Sequence, residues 1–296
     1  MIKVLPVFNR KEHNMERRLP QTKFTKREIL DIVNDKRYNP HTGGLHYPKP
    51  FSDRLVKEGR LSFDSGWGAP LEYEFIDMHT LRWMFHGFEW REEYYEAYEA
   101  GENIIFFFHT INESTPPEMR SFCIDFNTNR VTINNAQIGN DEYTARDTTN
   151  RMTFGKIAGR EATGEPHEYT DDLVGQVVAW EIGTGIWLTH HYINTKFFLN
   201  EIGPGPDPFL TIAEPAQYVK IDGNKQLYIF SWREMAGPGI MGWDIMDFSN
   251  MTSIGMFYGI NEADRFECYC FTRSSGKLLS VEDRKKICKD GFQAIL

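Results

Sequence analysis

The sequence predicts an all-β protein: two antiparallel β domains in tandem, each a sandwich or small closed barrel, behind an N-terminal arm. Three observations predict it. Turn-forming residues punctuate the chain about every eight to twelve residues, the rhythm of hairpin-built sheets. Aromatic residues, which favour strands and line ligand pockets, make up 14% of the 296 residues. The chain also repeats itself. "ENIIFFFHTI" (102–111) matches "KQLYIFSWRE" (225–234) in apolar pattern, and "CIDFNTNRVT" (123–132) matches "IMDFSNMTSI" (245–254), sharing Asp-Phe and the polar turn after it. "YEFIDMHTLRW" (73–83) likewise resembles "HHYINTKFFL" (190–199).

Residues 1–50 read as the arm. Thr25 and Glu28 form a capping box, and Ile29, Leu30, Ile32 and Val33 give one apolar face to a short helix over 24–38. That face should pack on a barrel or on a partner subunit, which leaves a homodimer open. The extended "NPHTGGLHYPKP" follows. The first β domain spans 51–150, and a polar, Gly-containing linker spans 151–172. The second domain occupies 173–296 and closes with a short helix capped by Ser280 and Asp283.

Composition narrows the function. A net charge of −9 without a basic stripe argues against nucleic acid as a partner. Nothing in the chain approaches the length of an apolar membrane span or a secretory signal, so the expected setting is cytoplasmic. Cys123, Cys268, Cys270 and Cys288 read as reduced thiols; a lone C-x-C is a weak metal signal, and no metal is expected. The chain lacks a Gly-rich phosphate loop running from strand to helix, and the prolines of "GPGPDP" (203–208) remove donors a phosphate would need. No cofactor is expected.

The chemistry concentrates in "LYIFSWRE" (227–234). Period two puts Tyr228, Phe230, Trp232 and Glu234 on one face, and Leu227, Ile229, Ser231 and Arg233 on the other. If the aromatic face lines a barrel, Glu234 is an acid in or at the mouth of an apolar pocket, and Arg233 faces out. In "THHYIN", His190 and His191 must point to opposite faces, so one of them enters the barrel. A His and a Glu in one apolar cavity make a general acid/base pair, because burial raises the carboxyl pKa toward the working range. Asp244 and Tyr258 fall on strands expected to neighbour Glu234 and could hydrogen-bond a ligand. Asp125 and Asp247 are read as holding turns. In the first half the polar candidates are Glu72, Glu74, His86 and His109, with His109 matching Trp232. The carboxylates of "EWREEYYEAYEAGE" (89–102) are read as solvated.

"LYIFSWREMAGPGIMGWDIMDF", "HHYIN" and "MFYG" resemble the MoaF family, best over Leu173–Gly259 and more weakly over Leu61–Asn140 through "LSFDSGW" and "FCIDFN". That resemblance implies two lipocalin-like, calycin-type barrels. The same segment also resembles the cofactor-free phenolic acid decarboxylases, whose S-W-T-E strand end carries the proton-handling Glu. Glu234 falls on that Glu, and parity with that family favours His191 as the inward histidine. The chain departs from that pattern. The family's tyrosine pair is replaced near Val178 and Trp180, and Phe198–Gln217 contains no Arg to clamp a carboxylate. In the first half Ile111 stands where Glu234 stands in the second, so the first barrel reads as a degenerate copy kept for packing or dimerisation. The expected function is therefore a cofactor-independent lyase or isomerase for a small, apolar, aromatic molecule. Glu234 with His191 or His190 would move protons, and Tyr228, Phe230, Trp232, Trp180, Asp244 and Tyr258 would line the site. The alternative is a non-catalytic binding protein of the lipocalin type.

Overall fold

A computed structural model describes residues 49–66, 68–139, 148–182, 187–202, 210–222, 225–233, 241–260, 267–290 and 295. The proposed arm helix over 24–38 lies outside the described residues. A five-residue helix α1 (Arg54–Glu58) precedes the first barrel. Its strands are β1 (Arg60–Asp64), β2 (Leu71–Phe75), β3 (Thr80–Phe85), β4 (Arg91–Gly101), β5 (Ile104–Ile111), β6 (Glu118–Asp125), β7 (Arg130–Ile138) and β8 (Thr148–Ile157). Every neighbouring pair is antiparallel and β8 closes on β1, so the sheet has no free edge.

The second half begins with the two-residue β9 (Glu168–Tyr169). It continues through β10 (Val177–Glu181), β11 (Trp187–Tyr192), β12 (Phe197–Ile202), β13 (Leu210–Asp222), β14 (Leu227–Arg233), β15 (Met241–Asp247), β16 (Thr252–Ile260) and β17 (Glu267–Leu278). Pairing of β12 with β13 and of β10 with β17 closes β10–β17 into a second barrel, and β9 adds to β13. Helix α2 (Val281–Asp290) follows. Its start is a reciprocal cap: the Ser280 backbone N–H donates to the Asp283 carboxylate at 3.0 Å, and the Asp283 N–H donates to Ser280 Oγ at 3.0 Å. Ile287 packs this helix on Val177, Ala179 and Trp187, outside the second barrel.

The internal repeat is reproduced in the backbone. Asn103 and Gln226, matched in the sequence, both have positive φ (59° and 52°), and so do the matched Asn129 and Met251 (58° and 51°). The preceding hairpins carry the same register shift, between Glu99 and Gly101 and between Lys220 and Asp222. A bulge with a left-handed residue gives the strong local twist that a small barrel needs. Asp125 and Asp247 hold their turns as expected, accepting from the backbone N–H groups of Asn127 (2.8 Å) and Ser249 (2.9 Å).

Three cores result. One fills the first barrel around Phe63, Tyr73, Phe107 and Phe122, and another fills the second around Trp180, Tyr192, Phe198 and Phe230. The third lies between the barrels. Phe106, Phe108, Met119 and Met152 of the first barrel pack there on Ile229, Trp243, Ile245 and Met256 of the second. The polar stretch expected as a linker from 151 is strand up to Ile157, because the first barrel needs β8 to close.

The seam of that barrel is tight. A Cβ on Gly155 would stand 2.2 Å from the Asp64 carbonyl oxygen and 2.9 Å from the Ser65 Cα. Both are backbone atoms and cannot rotate away, so Gly155→Ala is expected to cost roughly 1–3 kcal/mol. Urea denaturation checks this, and a loss under 0.5 kcal/mol would mean the seam can open without strain.

Candidate functional site

Strand alternation builds the site inside the second barrel. On β14, Tyr228, Phe230 and Trp232 point inward and Leu227 and Ile229 point to the inter-barrel core, as period two requires. Glu234 lies outside the described residues. Arg233, on the opposite face from Trp232, is half-buried and borders an open groove of about 1170 Å³ together with Asn150, Lys220 and Ser231.

The histidine expectation is corrected. His190 is the inward residue: it is buried, with its ring 5.0 Å from that of Phe198 and 5.2 Å from that of Phe230. His191 faces away and pairs with Glu201 Oε2 at 2.8 Å. The register of β10 on β11 decides this, with Val178, an inner residue, opposite His190. Burial, with a smaller contribution from His191, depresses the His190 pKa to about 3, so its imidazole is neutral at physiological pH.

Asp244 is the buried carboxylate of this interior. It is the cross-strand partner of Phe230 on β15 and therefore shares its inner face. Thr272 Oγ1 donates to Asp244 Oδ1 at 2.9 Å. Burial pushes its pKa up to about 7, against the opposing pull of Thr272, Trp232 and Ser253. Two glycines make the space: a Cβ on Gly255 would meet Asp244 Oδ1 at 2.3 Å, and one on Gly242 would meet Trp232 Nε1 at 2.2 Å. Larger residues at either position would displace the groups that form the site.

Of the remaining expected lining residues, Trp180 lies inside and donates from Nε1 to the Tyr192 hydroxyl at 3.2 Å. The same hydroxyl stands 3.5 Å from His190 Nδ1. Tyr228 is inside but its hydroxyl donates to Asp172 Oδ2 at 3.3 Å. Tyr258 is not in the barrel; it is fully buried in the inter-barrel core with Ile254 and Met256. Alternation along β16 puts these three on the face that meets the first barrel. Besides Thr272 and Ser253, inner polar residues on β12 and β13 escaped the sequence reading. Asn200 shares a face of β12 with Phe198 and is the register partner of Ile212, and its Oδ1 is buried without a hydrogen-bond partner among the described residues. Glu214, cross-strand from Phe198, is 1% exposed. Alternation from Phe198 and from Ala216 would have found both.

In the first barrel, Glu72 pairs with Arg60 at 2.8 Å on the outside, while His86 sits in a turn at φ 50°. His109 is inside, as its match to Trp232 implied. Two carboxylates of β4 depart from expectation, whereas Glu92 and Glu99 are exposed. Glu93 and Glu96 are buried, and Glu96 accepts from the Tyr94 and Tyr98 hydroxyls.

Comparison with known proteins places both halves. The MoaF N-terminal domain matches residues 46–140, and the MoaF C-terminal domain matches residues 167–285. No curated protein matches the chain. Among solved structures, one described as a putative beta-lactamase from Burkholderia vietnamiensis is 16% identical with a TM-score of 0.30, covering 36% of this chain and 96% of its own. A protein of unknown function from the DUF3598 family of Nostoc punctiforme is 12% identical with a TM-score of 0.30, covering 75% of this chain and 94% of its own.

Proposed function

This chain belongs to the MoaF family, and from that premise we propose that its second barrel is a cofactor-independent enzyme site of the lyase or isomerase class, acting on a small, largely apolar, aromatic molecule. One observation carries the reading: an imidazole and a carboxylate, His190 and Asp244, are buried on the inner aromatic face, each next to Phe230. The aromatic walls supply a flat apolar surface, and the two polar groups supply hydrogen bonds and a proton. His190, its pKa depressed to about 3, stays neutral and orients a ligand by hydrogen bonding, while a carboxyl titrating near neutrality delivers a proton or takes one up. Glu234, which follows Trp232 by period two in the sequence and lies outside the described residues, is proposed as a further proton-handling group.

The test is a turnover screen of small aromatic acids, aldehydes and enones with the full chain. For a substrate that turns over, Asp244→Asn and His190→Gln are each expected to lower kcat by about 10²–10⁴-fold. The wild-type profile of kcat against pH should inflect near 7 from Asp244. Ligands that bind in this barrel with no turnover, or a kcat unchanged in both variants, would favour a non-catalytic carrier instead.

A further inference from the structure

We propose that the interior of the first barrel is a second ligand site, built for a small organic carboxylate that carries a hydroxyl, with Arg120 as its anchor. Tyr73, Trp83, Glu93, His109 and Arg120 each stand third from the end of their strand, and Asn135 stands fourth. Their registers put those ends together: Leu71 opposite Phe85, Trp83 opposite Arg91, Ile111 opposite Glu118, and Arg120 opposite Asn135. All six share parity with residues of the inner core, so they form a polar ring one layer inside the barrel mouth.

That ring has too many donors and an uncompensated charge. The Arg120 guanidinium lies over the Trp83 indole at 4.1 Å, and its Nε donates to Asn135 Oδ1 at 3.1 Å. Arg120 Nη1, Asn135 Nδ2 and the Trp83 indole N–H are buried without hydrogen-bond partners among the described residues. Arg120 forms no ion pair there either, unlike Arg54, Arg60, Arg82 and Arg160. Arg120 and Asn135 are half-buried as residues, so the cost lies in the buried Nη1, Nδ2 and indole N–H, each left with an unmade hydrogen bond.

The neighbours do not supply the anion. His109 Nδ1 is 3.1 Å from the Thr110 carbonyl, which can only accept, so this nitrogen carries the proton. His109 Nε2 then accepts from the Tyr73 hydroxyl at 3.0 Å. This pair is therefore neutral, and the Tyr73 oxygen, which also lies within reach of Arg120, offers it an acceptor but no charge. Glu93 is 3% exposed and takes the Asn112 backbone N–H on Oε1 at 3.0 Å. Its Oε2 has no partner among the described residues, and the Trp83 N–H is near without meeting hydrogen-bond geometry. Burial raises the Glu93 pKa, which weakens it further as a counter-ion.

A ligand carboxylate answers each of these deficits. Its oxygens accept from Arg120 Nη1, Asn135 Nδ2 and the Trp83 N–H, and a hydroxyl on the same molecule meets Glu93 Oε2. The second barrel lacks this anchor, since the internal match puts Gly242 in place of Arg120 and His190 in place of Tyr73. The first barrel thus has a carboxylate anchor that the second lacks at the matching position, and it does not depend on the chemistry proposed for the second.

Isothermal titration of the full chain with 4-hydroxybenzoate, mandelate and lactate tests this, with 4-hydroxybenzamide as the neutral control. At least one acid is expected to bind saturably, one per chain, and at least tenfold more tightly than the amide. Arg120→Gln should weaken that binding tenfold or more, and Trp83→Phe, which keeps the ring under the guanidinium, by several-fold. Asp244→Asn, in the other barrel, should leave it unchanged. Thermal melts confirm that the variants are folded, and Trp83→Phe serves alone if Arg120→Gln is not. No binding by any acid, equal binding of acid and amide, undiminished binding in the first-barrel variants, or loss in Asp244→Asn would overturn the proposal.

Discussion

Trp243→Ala is expected to lower the unfolding free energy by about 3–5 kcal/mol, the range for deleting a fully buried indole. Trp243 is completely buried on the outer face of β15. Its ring centroid is 5.5 Å from that of Phe106, and its Nε1 is 3.4 Å from Met152 Sδ, both across the inter-barrel boundary. Asn150 Nδ2 adds a 2.6 Å hydrogen bond to Ser231 Oγ over the same boundary. Removing the indole would leave a cavity walled by two closed barrels, whose paired strands cannot easily collapse into it. Phe106→Ala should be non-additive with Trp243→Ala by about 0.5–3 kcal/mol, because the two rings share one contact. Urea melts followed by far-UV circular dichroism measure both effects. A loss below 1 kcal/mol, or additive losses, would show that the boundary contributes little to stability.

Stability should fall steeply as the pH drops from about 6.5 toward 4. His109 and His190 have pKa values depressed to about 3, and His167 to about 4, in each case chiefly by burial. A histidine whose folded pKa lies below its unfolded value binds its proton more readily in the unfolded chain. Its contribution is complete above the unfolded pKa of about 6.5 and is lost as the pH falls toward the folded pKa. Each of the three is worth roughly 3–5 kcal/mol at the limit, so together they rival the whole stability of an ordinary domain. Asp244 works in the opposite direction. Its pKa is raised from 3.8 to about 7, so its contribution is complete below 3.8 and is lost as the pH rises through 7. One carboxyl does not offset three imidazoles. His109→Gln should therefore move the acid midpoint down, whereas Asp244→Asn should stabilise the protein at pH 8 and leave the acid midpoint where it is or slightly lower. Denaturation at a series of pH values reads this directly, and a His109→Gln midpoint equal to that of the wild type would refute the assignment.

The local features of this protein were legible in its sequence because short-range rules decide them. Alternation put Tyr228, Phe230 and Trp232 on one inner face, the repeated Asp-Phe-turn marked matching hairpins, and Ser280 with Asp283 marked a helix start. The arm helix and Glu234 lie outside the described residues. Tertiary structure alone decided which side of each strand is inside. His190 and His191 face opposite ways in any strand, and only the pairing of β11 with β10 turned His190 inward. The two-sided burial of β5, β15 and β16 was hidden for a related reason. A strand covered on both faces reads as a continuous apolar run, as in "IIFFF", and loses the alternation that would show where Tyr258 or Trp243 points. Glu93 reads as a solvated carboxylate in the sequence and nothing there singles out Arg120, because a charge carries no sign of burial in its neighbours along the chain. Closure of the barrel brought them to one ring from strands far apart in sequence, and ring membership is a property of register and shear, which no local pattern contains.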